Sequence, residues 1–306
     1  MSAELPRPLV SVVVPTYNNA AFVRDTMRSI LSQTFADFEL IVSDHSSTDG
    51  TWELLHPFAS DPRVHLLQMP RTDHPHDNWD NATRAATGRY LKLVCGDDLL
   101  APECLERQVA AMQSHPRAVM VASRRDVVTA RGDMVLRSWG LPRMLGELSG
   151  RAAVRQAVQS GTNTFGEPAC VLLCRSSLEA VGGWDGTHSY VLDQHTYSKV
   201  LMRGTFVGLE EPLASFRLSD SQWSHALARN QYRQVVAFHR DLAASCPDLL
   251  SRTDLARGRA KAKALAYARR LAYFSLAREL RTPVAPIELQ VSPQPASVPV
   301  AGLGAE

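Results

Sequence analysis

Two apolar runs near the start of the chain constrain its fold more than any other feature. Ser11-Val-Val-Val-Pro-Thr-Tyr-Asn18 and Phe38-Glu-Leu-Ile-Val-Ser-Asp44-His-Ser-Ser-Thr-Asp49-Gly-Thr51 each begin with apolar, largely β-branched residues and stop abruptly at turn-forming polar ones. Short runs of this kind read as strands buried on both faces, the condition of strands in a parallel sheet. One helix length separates them, which is the crossover such a sheet requires. Ligands of open α/β sheets bind outside the carboxyl ends of the strands, so each run ends in a loop that can hold one.

The same rhythm continues to about residue 123. Strands are expected at Val10 to Pro15, Phe38 to Asp44, Val64 to Met69, Tyr90 to Val94 and Ala118 to Ser123. Helical stretches fall near Ala20 to Gln33, Thr51 to Ala59, Asn78 to Thr87 and Pro102 to Ser114. Alternation of this kind implies right-handed crossovers and an α/β fold, a mostly parallel Rossmann-like sheet flanked by helices. Phe22, Met27, Ile30 and Leu31 lie at near-helical spacing and mark the core face of the first helix. Beyond Ser123 the pattern weakens. Arg131-Gly-Asp133 reads as a hairpin turn, Ser149 to Ser160 as a helix, Ala169 to Cys174 as a strand and Val181-Gly-Gly-Trp-Asp185 as a turn. A helix starts near Asp193, followed by strands at Phe206 to Leu209 and Leu213 to Arg217. Gln222 to Leu280 is helical and rich in Ala and Arg, while the Pro, Ala and Val of Thr282 to Glu306 read as a disordered tail.

Composition removes several classes of function. A net charge of +2 gives no global reason for a nucleic-acid partner. No run of eighteen apolar residues occurs, and Met1-Ser-Ala-Glu-Leu-Pro lacks the basic and apolar regions of a leader, so a soluble, unsecreted, cytoplasmic chain is expected. The five cysteines, Cys95, Cys104, Cys170, Cys174 and Cys246, lack Cys-x-x-Cys spacing and read as reduced thiols. Phosphate-binding loops, dinucleotide fingerprints and serine-hydrolase elbows are absent from the sequence.

Chemistry concentrates at strand ends. Leu93-Val-Cys-Gly-Asp97-Asp98-Leu-Leu closes the fourth strand with two adjacent carboxylates, a place that suits a hard divalent cation. His74-Pro-His76-Asp77 reads chiefly as a polar loop, with a metal site as the sharper alternative. On the following helix Trp79, Ala82, Ala85 and Ala86 pack on the sheet and Gly88 ends it, while Arg84 is either exposed or in reach of a phosphate. Asp49 is positioned to cap the second helix.

The Pro15-Thr16-Tyr17-Asn18 turn, the Asp44-x-x-Ser-Thr-Asp-Gly-Thr51 loop, Asn78-x-x-x-Ala82 leading into Ala86-x-Gly88-x-Tyr90, and the acids of the fourth strand together resemble the family 2 glycosyltransferases. The resemblance implies a GT-A fold over residues 8–220, with a nucleotide-sugar-binding half at 8–123 and an acceptor half at 124–220. A helical region at 221–281 and the tail at 282–306 complete the layout.

The family's Asp-x-Asp motif falls on Cys95-Gly96-Asp97. Asp97 then holds the Mg²⁺ or Mn²⁺ that bridges the nucleotide diphosphate, and Asp98 caps the next helix or supports the loop. By the same resemblance Asp44 accepts the N3–H of a uracil-like base, with His45 at the neighbouring family position. Pro15, Thr16, Tyr17 and Ser46 surround the nucleotide sugar, and Arg217 supplies the charged contact in a terminal loop where Ser219 replaces the usual His. Asp193 maps to the general base that takes the proton of the acceptor hydroxyl. It can also serve as a helix N-cap, and Glu167 and Asp185 are its competitors.

These expectations describe an inverting glycosyltransferase that moves a sugar from a UDP- or dTDP-linked donor to a hydroxyl on a glycan or lipid-linked acceptor, in surface polysaccharide or glycolipid synthesis. The alternative is a sugar-nucleotide or glycan-binding protein on a degenerate scaffold, for which Cys95 and His45 speak. Arg252, Arg257, Arg259, Lys261, Lys263, Arg269, Arg270 and Arg278 crowd the last helical region. They read as a solvated face, with peripheral contact to anionic lipid on the cytosolic side as the other reading.

Overall fold

The structure, a computed structural model, describes residues 7–218 and 230–280, with side chains for all of these except Pro75 and 269–280. β1 (Val10–Thr16), β2 (Phe38–Asp44), β3 (Val64–Gln68) and β4 (Tyr90–Leu93) alternate with α1 (Val23–Leu31), α2 (Thr51–Leu55) and α3 (Pro75–Arg84). They lie in the order β3-β2-β1-β4, every pair parallel. Val10, Val12, Val13 and Val14 of β1 are fully buried, as the uninterrupted apolar run requires of a strand covered on both faces. On α1 the buried stripe is Val23, Thr26, Met27 and Ile30.

The second half is β5 (Leu99–Leu100), α4 (Cys104–Ser114), β6 (Ala118–Thr129), β7 (Met134–Trp139), β8 (Gly146–Ser149), α5 (Gly150–Ser160), β9 (Val171–Cys174), α6 (Arg175–Glu179), α7 (Leu192–Leu201) and β10 (Thr205–Leu218). β9 runs antiparallel between β4 and β6, and β10 lies parallel to β6. Six strands therefore point one way, and the expected mostly parallel α/β sheet is what forms. The two strands expected between Phe206 and Arg217 are one continuous strand. Its register against β6 shifts on either side of Pro212, which donates no ladder hydrogen bond and so sits at an irregularity.

A buried cation joins the halves. Lys92 of β4 is fully buried, and its ammonium donates to Gln108 Oε1 (2.8 Å) and the Ala169 carbonyl (2.7 Å). Gln108 in turn donates to the Cys170 carbonyl at 2.7 Å. Satisfied in this way, a buried lysine is tolerable and anchors the segment that carries Glu167.

Two helices, Gln231–Ser245 and Arg252–Leu280, follow the α/β body and share its core through Val235, Phe238, Leu242 and Ala262. Arg252, Arg257, Arg259, Lys261 and Lys263 are exposed. Asp254, Gly258, Ala262 and Ala266 are buried at four-residue spacing. Small side chains let this helix approach α5 closely, and Asp254 pairs with Arg155 at 2.8 Å. Among the described residues no helix is long and apolar enough to cross a membrane. Ser219 and the loop after it, and the expected tail, lie outside the described residues.

Candidate active site

β1 has β2 on one side and β4 on the other, so the crossovers leave it in opposite directions and a crevice opens at its carboxyl end. Thr16 and Asp44 end β1 and β2 at this crevice, and Asp97-Asp98 lie in the turn that follows β4. Two loops line it and are laced together. The Asn18 side chain accepts from the Thr48 N–H (2.9 Å), and the Asn18 N–H donates to Ser47 Oγ (2.9 Å). Asn19 N–H donates to Thr51 Oγ1 (2.8 Å), and Ala20 N–H to Asp49 Oδ2 (2.9 Å). Asp49 also accepts from the Thr51 N–H at 3.0 Å, but the N-cap of α2 is Gly50 in a left-handed conformation with no side-chain cap, so Asp49 ties the loop to the helix start from one position before the expected cap.

Asp44 is fully buried. Its carboxylate accepts from the Ser47 N–H (3.0 Å), the Ser47 hydroxyl and the Gln68 amide (3.4 Å). Ser46 adopts a positive φ of 54° and donates its hydroxyl to the Met69 carbonyl at 2.8 Å. His45 is buried, and its Nε2 accepts from the Thr72 N–H at 2.8 Å, which fixes the tautomer with the proton on Nδ1. Burial and the nearby Arg71 lower its pKa. Pro15 and Thr16 are buried in β1, and Thr16 Oγ1 donates to Asn19 Oδ1 at 2.9 Å. Tyr17 stands at the mouth, 37% exposed, with the Arg71 guanidinium 3.9 Å from its ring centroid. Sequence reasoning passed over Asn18, Asn19 and Arg71. The Asn-Asn pair after Tyr17 was the available signal for the first two, since asparagine side chains serve as turn acceptors.

The metal-side turn is braced from below. Gly96 packs so tightly that a Cβ there would lie 2.7 Å from Asn19 Oδ1 and 2.9 Å from Thr16 Oγ1. Asp97 is 8% exposed, while Asp98 is buried and accepts from the Arg217 N–H at 3.3 Å. The Thr26 hydroxyl donates to the Asp98 carbonyl at 2.9 Å. Asp98 therefore supports the loop and the end of β10, in place of the helix cap considered from sequence. Burial, with the Asp97 and Glu167 charges adding, raises the Asp98 pKa well above the usual carboxylate range. The same causes, burial first and then Asp98 and Asp97, push up the Cys95 thiol, which leaves it a neutral group unsuited to a hard cation. Arg217, expected to meet the diphosphate, is 3% exposed. It donates to the Asp97 carbonyl (3.0 Å) and the Ala130 carbonyl (3.3 Å) and lies 3.8 Å from Asp25.

A hard cation fits the oxygen donors of this turn. Asp97 is a nearly buried carboxylate in the turn after β4, and Mg²⁺ or Mn²⁺ commonly binds through one or two carboxylates plus substrate phosphates. Among the described residues no group of three or more His, Cys, Asp or Glu is arranged to hold a metal ion; His74–Asp77, expected as a loop, forms the cap and first turn of α3.

Three acids compete on the acceptor side, and their partners separate them. Asp185 is paired with Lys199 and accepts from the Thr187 N–H (2.9 Å). Burial acts to raise its pKa, but these partners outweigh it and hold it well below the usual range. Glu167 forms a two-point ion pair with buried Arg125. Asp193, in the first turn of α7, has no cationic partner among the described residues. It accepts from the Asn163 amide (2.7 Å) and the Gln194 N–H (2.7 Å). Burial pushes its pKa up to about 7 against the lowering effect of the Gln194 N–H, and the Glu167 charge adds to the rise. Asp193, Glu167, Asp97 and Asp98 all act on the Cys95 thiol electrostatically, so acids of both sides lie within reach of the same residue.

Comparison with known proteins agrees with this architecture. The family profile described as Glycosyl transferase family 2 matches residues 11–182, over half the chain. TuaG of Bacillus subtilis (strain 168), a protein assigned to teichuronic acid biosynthesis, is 34% identical over 107 residues, 35% of this chain and 42% of TuaG. WfgD of Escherichia coli, a UDP-Glc:α-D-GlcNAc-diphosphoundecaprenol β-1,3-glucosyltransferase, is 33% identical over 104 residues, 34% of this chain and 41% of WfgD. These matches thus span less than half of each relative's length. Among solved structures, S. aureus TarS 1-349 in complex with UDP-GlcNAc superposes with a TM-score of 0.65 at 17% identity, over 87% of this chain and 75% of that one. At that identity the likeness speaks for the fold.

Proposed function

The chain belongs to glycosyl transferase family 2, and on that premise we propose that it moves a sugar from a uridine or thymidine diphosphate donor to a hydroxyl acceptor, with inversion at the anomeric carbon. The product would enter a surface polysaccharide or glycolipid, as the biosynthetic roles in the names of TuaG and WfgD suggest. The observation that carries the catalytic reading is the Asp193 carboxylate, unpaired with any cation among the described residues and with its pKa raised to about 7. A base is most effective when its pKa lies near the working pH, and a carboxylate at its ordinary value would be too weak to draw a proton from a sugar hydroxyl.

In this reading the acceptor hydroxyl gives its proton to Asp193 while its oxygen attacks the anomeric carbon from the face opposite the diphosphate. The bond from that carbon to the donor oxygen breaks, and the nucleoside diphosphate leaves with the electron pair. Mg²⁺ or Mn²⁺ held through Asp97 would supply electrostatic stabilisation of that leaving group. Asn163 orients the Asp193 carboxylate. Arg217 acts through Asp97, whose carbonyl it holds, and fixes the turn in the conformation that presents the carboxylate. Asp44, already braced by Ser47 and Gln68, would accept the base N3–H with a remaining lone pair, while Thr16, Tyr17 and Ser46 shape the base and ribose pocket. The UDP-GlcNAc complex of TarS supports a uridine donor.

The test is release of nucleoside diphosphate from a panel of nucleotide sugars with Mn²⁺, read beside thermal stabilisation by each. Uridine or thymidine donors should both stabilise the protein and turn over. Absence of turnover with every donor that binds would favour the binding-protein alternative.

A further inference from the structure

At the opposite end of the sheet from the donor loops lies a cavity of about 550 Å³. It is bounded by the amino ends of β4, β6 and β10 and by the first turn of α5. Four arginines stand around it, each from a different connection: Arg89 before β4, Arg117 before β6, Arg151 at the start of α5 and Arg203 before β10. All four are exposed, and no Asp or Glu lines the cavity. Among the described residues none of the four is joined to a carboxylate, whereas Arg63, Arg125, Arg155 and Arg175 elsewhere all are.

The floor beneath them is fixed. Thr205 N–H donates to the Arg117 carbonyl (2.9 Å), and Gly150 N–H to the Gly204 carbonyl (3.0 Å). A Cβ on Gly150 would fall 1.8 Å from the Leu201 carbonyl oxygen, so the backbone there is in closest contact. Thr205 Oγ1 is buried in this lining without a hydrogen-bond partner, a donor left over by the protein.

Four guanidinium groups around one concavity repel each other unless an anion joins them. Their planar forks match phosphate oxygens two at a time, and the cavity volume is that of small-molecule sites. The start of α5, an eleven-residue helix, adds its positive end. We propose that this cavity is a second ligand site, which takes a phosphate-bearing anion through Arg89, Arg117, Arg151 and Arg203. A soluble polyphosphate-type ligand and a phospholipid headgroup share this chemistry. The site is independent of the donor crevice.

The experiment titrates the full chain with tripolyphosphate in the presence of chelator, which removes metal-dependent binding at Asp97. In parallel, the protein is sedimented with phosphatidylcholine vesicles with and without phosphatidylglycerol. Arg117→Gln/Arg203→Gln should weaken tripolyphosphate binding by about tenfold or more and leave UDP affinity with Mn²⁺ unchanged. Sedimentation with the anionic vesicles that the double variant abolishes would assign the ligand to a lipid headgroup, and tripolyphosphate binding alone would assign it to a soluble phosphate. A control, Arg257→Gln/Lys261→Gln on the terminal helix, should change neither reading. No binding of either probe by the wild type, or an equal effect of the control, overturns the proposal. Should the double variant melt early, the single variants at these exposed positions carry the same comparison.

Discussion

Replacing Asp193 with asparagine changes both rate and stability, and the two effects have opposite signs. Burial pushes the folded carboxyl up to about 7 from the ordinary aspartate value near 4, so between those values the native state binds more protons than the unfolded chain. Native stability therefore falls as pH rises from about 4 to about 7, and above that range the full cost of the buried charge is present. A shift of about three units at 1.36 kcal/mol each sets a ceiling of about 4 kcal/mol, and partial solvent contact of the residue trims this to about 2. Asp193→Asn cannot ionise and keeps the side-chain shape, with its one carbonyl oxygen able to accept from either Asn163 or Gln194. We expect it to be more stable than wild type at pH 8 by about 2 kcal/mol, with the gain vanishing near pH 4. Turnover should fall by about a hundredfold to ten-thousandfold, since proton removal matters only as the transition state forms. The wild-type rate should decline as pH drops through about 7, and the variant should lose that limb. The assays are denaturant unfolding across pH and release of nucleoside diphosphate from a UDP-sugar, with water as acceptor where no better one is known. A variant that keeps wild-type turnover and the same pH limb would refute the assignment of the base, and one no more stable at pH 8 would refute the burial argument.

Asp97→Asn should lower turnover by about a hundredfold or more, as should excess chelator on the wild type; full activity in chelator would exclude a metal held there. Cys95→Asp is expected to keep or tighten Mn²⁺ binding measured by calorimetry, and loss of binding would show that Cys95 does not occupy a ligand position. Asp44→Ala should erase a preference for uridine over cytidine diphosphate worth about 1 to 3 kcal/mol, and should also lower the melting temperature because Ser47 and Gln68 lose their acceptor. Gly96→Ala should cost about 1 to 3 kcal/mol in denaturant unfolding, since its Cβ would press on Asn19 and Thr16; a neutral result would mean that the turn relaxes freely.

The first half of the fold was legible because its signal is local. Buried parallel strands are continuous apolar runs, and β1, β2 and β4 begin within a residue of where those runs begin. The place of β9 was not legible, since a four-residue antiparallel strand between β4 and β6 is chosen by packing across the sheet, which no periodicity reports. Pro212 hid the continuity of β10, because a proline reads as a break when it in fact marks an irregularity in one strand. At the site, the acids of the motifs were legible in the sequence, and the structure gathers Asp44 and Asp97 at the crevice beyond β1. Their partners were invisible: nothing near Asp193 in sequence indicates Asn163, and nothing near Asp185 distinguishes its pairing with Lys199 from a free carboxylate. Burial and pairing are long-range facts, and they are what set the three acids apart.

The brace from Arg217 to the Asp97 carbonyl spans 120 positions of sequence. A chain growing from its amino end lays down both donor-side loops and the acidic turn long before that guanidinium exists, and domains generally fold as they emerge. The early half can collapse around β1 to β4 while the turn that presents Asp97 stays unsupported. On the function proposed above, the turn would gain its brace, and with it the full donor site, only once β10 has joined the sheet.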